Sequence, residues 1–269
     1  MNDGKISLVL TLSYNGARYS GFAKQKDDEV VTVQGELERA LAILFRRPVE
    51  TVCAGRTDAG VHAREQYVSC VLEIAELESR TSYSIGVSMN ALTPDDIVVK
   101  RVQFASPAFS ARFDAISREY HYRIACGPTP PLFLSEFAWW RKGELDVPAM
   151  RVAASNLVGE HDFKSFCKAA SAQGKTTMRC IESIDIVEEE HLGEQCLTIR
   201  IIGNAFLHSM VRTIVGTLVQ VGAGNRDAPW VADVLAARDR AAAGETAPAH
   251  GLVFWHVEYP TGLLSNEMV

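Results

Sequence analysis

Four stretches of this chain carry side chains able to do chemistry. GRTDAGVHA, residues 55–63, packs Arg56, Asp58, two glycines and His62 between two apolar runs. Long connections on rigid strands are where sites usually sit. Asp58 there could act as an acid, base or nucleophile, with Arg56 reaching a substrate. Equally, Asp58 and Gly60 are common turn formers, and His62 would then be a solvated loop histidine. In SREYHYRIAC, residues 117–126, alternation puts Arg118, Tyr120 and Tyr122 on one face and Glu119, His121 and Arg123 on the other. Tyr120 is then either a core aromatic or a ring placed to stack on a base.

The third stretch is NAFLHSMVRTIVGTLVQV, residues 204–221, an apolar helical pattern with Arg212 inside it. A buried guanidinium requires a carboxylate or a substrate phosphate. His208, Arg212 and Gly216 recur every four residues and would form one stripe, which reads either as a site or as the wet side of the helix. The fourth lies between Phe163 and Ile181, where Lys164, Lys168, Lys175 and Arg179 occur without an acidic residue and are interleaved with Phe163 and Phe166. It reads as a basic patch for a polyanion or as a solvated loop.

The elements that must position these residues follow from periodicity. Ile6 to Tyr14 alternates as a strand, and Thr32 caps a helix in which Val33, Leu37, Leu41, Leu44 and Phe45 recur before Pro48. Val49 to Ala54 and Tyr67 to Ile74 read as strands joined by the twelve-residue link GRTDAGVHAREQ, longer than a hairpin needs. Ser82 to Leu92 suits a helix and Asp96 to Phe104 a strand. This is the β-α-β-β-α-β order of a ferredoxin-like sheet. Beyond a boundary near Ala105 to Ala111, Ser117 to Cys126 is a strand and Pro148 to Leu157 a helix. Ile181 to Val187 and Cys196 to Ile202 pair across the acidic turn EEEHLGE, Asn204 caps a helix to Val221, and Leu252 to Tyr259 closes as a strand. The expectation is an α+β protein of two ferredoxin-like halves, residues 1–105 and 106–269, with antiparallel sheets and an active-site cleft between the halves.

Composition bounds the partners. The 269 residues are 47% hydrophobic and 22% charged, so the chain buries a core and is not a disordered tail. Lys and Arg number 27 against 33 Asp and Glu, giving a net charge of -6, which argues against a wholly basic nucleic-acid binder and leaves room for a local basic face. With no long uncharged apolar run and no leader pattern, membrane insertion and secretion are not expected. Six cysteines scattered without a C-x-x-C pair point to a reduced cytoplasm, with neither a zinc site nor a disulfide framework.

Taken in order, AGRTDAGVHA, FSARFDAISREYHY, GEHDFKSF, NAFLHSMVRTIVGTL and APAHGLVFWHVEYP resemble the tRNA pseudouridine synthase A family over nearly the whole chain. The family's usual tryptophan and glutamine after the first strand are replaced here by Phe22 and Ala23. The resemblance implies isomerisation of uridine to pseudouridine in the anticodon stem-loop of tRNA, at positions 38, 39 and 40, by a homodimer that needs neither metal nor organic cofactor. It makes Asp58 the catalytic aspartate, Tyr120 the tyrosine beside the target uracil, and Arg212 the basic partner of Asp58. Arg56 would help displace the base, and Lys164, Lys168 and His208 would contact the RNA.

That chemistry suits these residue types. One carboxylate in a dry pocket serves to hold the sugar or base and to remove the C5 proton, an arginine keeps it ionised, and a ring retains the freed uracil. The target base must be extruded from its stack, at a cost of a few kcal/mol. The residues leave open whether Asp58 attacks C1′, attacks C6 or acts as a base. Two other readings are an RNA-binding module without catalysis and a carboxylate-dependent hydrolase. The Asp58, Tyr120 and Arg212 set disfavours the first, and the lack of a second well-placed carboxylate disfavours the second.

Overall fold

Short caps and alternating apolar runs set the order of elements. The computed structural model describes residues 4–27, 29–168, 173–174 and 176–267. Along the chain come β1 (Lys5–Tyr14), α1 (Val33–Phe45), β2 (Val52–Cys53), β3 (His62–Glu73), α2 (Ser82–Leu92), β4 (Ile97–Ala105), β5 (Ser117–Cys126) and β6 (Trp139–Arg141). There follow α3 (Val147–Ser155), β7 (Gly159–Asp162), β8 (Met178–His191), β9 (Glu194–Gly203), α4 (Met210–Gly222), α5 (Trp230–Ala237) and β10 (Leu252–Glu258). They form two compact units, Met1–Ile116 with Phe254–Val269, and Ser117–Val253.

In the first unit β4, β1 and β3 lie side by side and antiparallel, with β2 added on β3, the ferredoxin-like order expected of β-α-β-β-α-β. Leu8, Leu10 and Leu12 of β1 pair with Cys70, Val68 and Gln66 of β3. Directly paired residues share a face, so these form one floor, apolar apart from Gln66, together with Val102, on which α2 sits at Gly86. Thr32 caps α1 by accepting a hydrogen bond from Gly35 N at 3.2 Å, and Val33, Leu37 and Leu41 are buried. Near the end of the chain, β10 joins this sheet beside β3, and Glu65 of β3 bonds His256 of β10 at 2.7 Å.

In the second unit β5, β9, β8 and β7 are antiparallel in that order, and β6 adds to β5 in parallel. The order β5, β9, β8 repeats β1, β3, β2 of the first unit, the loose repeat expected of two related halves. α4 is buried at nearly every position from Met210 to Gly222 and packs on α3, where Gly222 meets Met150.

Four expectations are corrected. The second strand is only Val52–Cys53, and β3 starts at His62 rather than Tyr67, so the link is eight residues long. The acidic run is not a turn. Glu188 to His191 continue β8, and Leu192 and Gly193 alone turn the chain, at φ 52° and 80°. Asn204 does not cap α4, since Ser209, left-handed at φ 59°, stands at its N-cap. Asn204 Oδ1 accepts instead from Cys180 N at 3.1 Å. Finally, His208 precedes the helix, so no stripe of His208, Arg212 and Gly216 exists on it.

Candidate active site

The loop 54–61 leaves the sheet after β2 and returns in β3, and almost every residue of it is held. Ala54 N still bonds Tyr67 O at 2.9 Å. At Gly55 the carbonyl accepts from Gln66 Nε2 at 2.6 Å, while Gly55 N donates to Gln66 Oε1 at 3.3 Å. Thr57 Oγ1 lies 2.8 Å from the Tyr14 hydroxyl, and Phe22 N donates to Thr57 O at 3.1 Å. Asp58 O accepts from Val61 N at 3.2 Å, closing a tight turn that needs Gly60 at φ 77°. Gly60 N then reaches Tyr19 O at 3.3 Å. Gly21, at φ 103°, brings its Cα close enough that a Cβ would stand 3.0 Å from Thr57 O.

Asp58 is half-buried and Arg56 exposed in this frame. Beside Arg56 opens a groove of about 640 Å³ lined by Lys24, Gln34, Glu38, Arg39, Glu50 and Thr51. His62 is not a solvated loop residue: only 2% exposed, it accepts a hydrogen bond from Gly16 N on Nδ1 at 3.0 Å.

The second unit gathers the aromatic and basic candidates. Tyr120, on β5, is 7% exposed and meets the Phe206 ring edge-on, with centroids 5.0 Å apart. Two residues on, Tyr122 donates to Pro248 O at 2.9 Å. Burial pushes its phenol above the usual range, and the nearby Arg212 charge pulls the other way. Arg212 itself is half-buried on α4 and donates from Nε to Ala247 O at 2.7 Å.

Lys164 and Lys168 are exposed, and Lys168 N donates to the carbonyl of exposed His208 at 3.3 Å. Phe163 and Phe166 are fully buried, so the basic segment offers no rings to bases. Arg179 turns back on its own backbone, donating to Thr176 O at 3.2 Å, and burial lowers its pKa. Lys175 lies outside the described residues. Arg56 and Asp58 thus share one loop of the first unit, while Tyr120, Arg212, Lys164, Lys168 and His208 belong to the second. Sequence reasoning missed Tyr14, Gln66 and Phe206. For Gln66 the signal was present: it is an amide in the apolar register of a strand.

Comparison with known proteins gives the family. A family model described as tRNA pseudouridine synthase matches residues 153–260. The tRNA pseudouridine synthase A of Fervidobacterium nodosum is 40% identical over 250 residues, 93% of this chain and 98% of that protein. Its namesake from Bacillus subtilis is 40% identical over 254 residues, covering 94% and 98%. That of Shouchella clausii is 41% identical over 261 residues, covering 97% and 96%. Among solved structures, the archaeal box H/ACA sRNP Nop10-Cbf5 complex has a TM-score of 0.32 at 10% identity over 79% of this chain and 44% of that one. With such identity sustained from end to end of its relatives, the chain belongs to the tRNA pseudouridine synthase A family.

Proposed function

We propose that this chain converts uridine to pseudouridine in the anticodon stem-loop of tRNA, with Asp58 as the catalytic carboxylate. Family membership carries the isomerase and its tRNA substrate. The reaction breaks the N1–C1′ bond and forms a C5–C1′ bond. C5 loses a proton and N1 gains one, so no oxidant or reductant is consumed. Asp58 holds the reacting centre and takes part in the proton transfer, Arg212 serves as the basic group of the reaction, and Tyr120 confines the uracil while it turns. Arg56, exposed two residues before Asp58, helps to displace the base, while Lys164, Lys168 and His208 meet the RNA. The working form is a homodimer in the cytoplasm. Among the described residues, no helix is long and apolar enough to cross a membrane.

The observation that supports the assignment is the fixing of the backbone around Asp58 by partners on both sides, which holds a half-buried aspartate at a set place in the loop. The test is Asp58→Asn, which keeps the shape and removes the charge. Pseudouridine mapped in tRNA from a deletion strain carrying this variant should be absent from the anticodon arm, with tRNA affinity within a few-fold of the parent. Near-parental turnover would remove Asp58 from the chemistry.

A further inference from the structure

We propose that Tyr14 and Gln66 are positioning residues that set the loop carrying Arg56 and Asp58, an inference that rests on Asp58 being the catalytic carboxylate. Gln66 stands opposite Leu12, on the floor formed by Leu8, Leu10, Val68 and Val102, and is 0% exposed. Leu12 opposite it and Val68 two residues along the strand are apolar, and an amide there is unfavourable unless its polar atoms are bonded. Both ends of Gln66 are spent on Gly55.

The placement explains why an amide is used. β2 pairs with β3 at Val52 and Cys53, and the ladder ends with Ala54 N on Tyr67 O. One residue further, the carboxamide of Gln66 offers a donor and an acceptor in parallel, as a neighbouring strand would. It extends strand-like control to Gly55 after the backbone has left the sheet. Tyr14, 5% exposed and packed on Phe22, does the same for Thr57 through its hydroxyl. Gly55 and Thr57 flank Arg56, and Thr57 immediately precedes Asp58. The two side chains therefore fix the path of the backbone on which both functional groups hang.

The test uses the full chain and tRNA. In Gln66→Met and Tyr14→Phe, kcat should fall about 10- to 100-fold while KM stays within about three-fold, because a loosened loop costs alignment rather than affinity. Tyr14→Phe removes one oxygen and keeps the ring on Phe22, so it stays folded. Leu37→Ala opens a cavity beneath α1 in the same unit and removes no hydrogen bond to the loop. It should lower Tm and leave kcat unchanged at temperatures where it is folded. Amide exchange at Gly55 should quicken in Gln66→Met.

Parental kcat in both clamp variants, beside an inactive Asp58→Asn, overturns the clamp and leaves the Asp58 assignment standing. The clamp also fails if Leu37→Ala slows turnover as much as they do, since the loss would then follow stability. An active Asp58→Asn removes the reading on which the clamp rests.

Discussion

Arg212 and Ala247 hold each other twice. The guanidinium Nε donates to Ala247 O at 2.7 Å, and Ala247 N donates to Arg212 O at 3.1 Å. The side chain and backbone of one residue thus tie the segment before β10 to the first turn of α4. Arg212→Lys keeps the charge and loses the fork that reaches the carbonyl. It should cost about 1.5 to 3 kcal/mol in urea unfolding, the range for a hydrogen bond from a charged group, together with a fall in turnover. Parental stability would show that the reciprocal tie carries no weight.

Gly216, one turn further along α4, lets the same segment pass. A Cβ there would collide with the carbonyl of Glu245. Backbone cannot move aside as a flexible side chain can. Gly216→Ala should therefore destabilise by at least about 1 to 3 kcal/mol, against the usual gain of a glycine-to-alanine change in a helix. A thermal melt at or above the parental Tm would contradict it.

Glu189 of β8 accepts from Thr198 Oγ1 at 2.7 Å and pairs with the Arg200 guanidinium. Burial pushes its carboxyl up, but hydrogen bonds from Thr198, Arg200 and His191 outweigh that and hold it at about 2, below the ordinary 4.5. A depressed folded pKa adds stability above pH 4.5, and that stability is lost as pH falls from 4.5 through about 2. Because solvent screens the pair, its size is about 1 to 2 kcal/mol. Glu189→Gln should flatten this part of the acid unfolding curve, and an unchanged curve would refute the prediction.

Lys164 and Lys168 are exposed, and Lys168 is joined through its backbone to His208. If both meet tRNA phosphates, log affinity should fall steeply with log salt despite the net charge of -6. Replacing either with alanine should reduce that slope by about 0.7 to 0.9. Titrations at several salt concentrations check it, and an unchanged slope in both variants would exclude them from the interface.

The first half of the fold was legible because its signals are local. Thr32 before Val33, Pro48 after Phe45 and the alternation from Ile6 to Leu12 each act within a few residues, and the structure follows them. What was not legible depends on partners distant in sequence. Asn204 is a good cap by type, yet Cys180 N, 24 residues away, captures its side chain. Glu188 to His191 have turn composition, yet pairing with residues 194–197 keeps them extended. At the site, Arg56 and Asp58 stood out by type and spacing. Tyr14 and Gln66 did not, because their roles are set by what the sheet brings beside Gly55 and Thr57. Phe163 and Phe166 alternated with lysines in sequence but turn into the core.

The first compact unit ends with Phe254–Val269, not with Ile116. Tyr259 donates to Ala111 O at 2.6 Å, Ser265 N bonds Phe104 O at 2.9 Å, and β10 lies on β3. On the ribosome, residues up to 116 emerge long before these closing contacts can exist, so β3 waits with an unpaired margin while the next 137 residues, 117–253, are made. The second unit is contiguous and can fold during synthesis. The unit bearing Asp58 gains these closing contacts only after residues 254–265 have emerged, and a release or stall before Phe254 would leave the margin of β3 open beside a second unit already made.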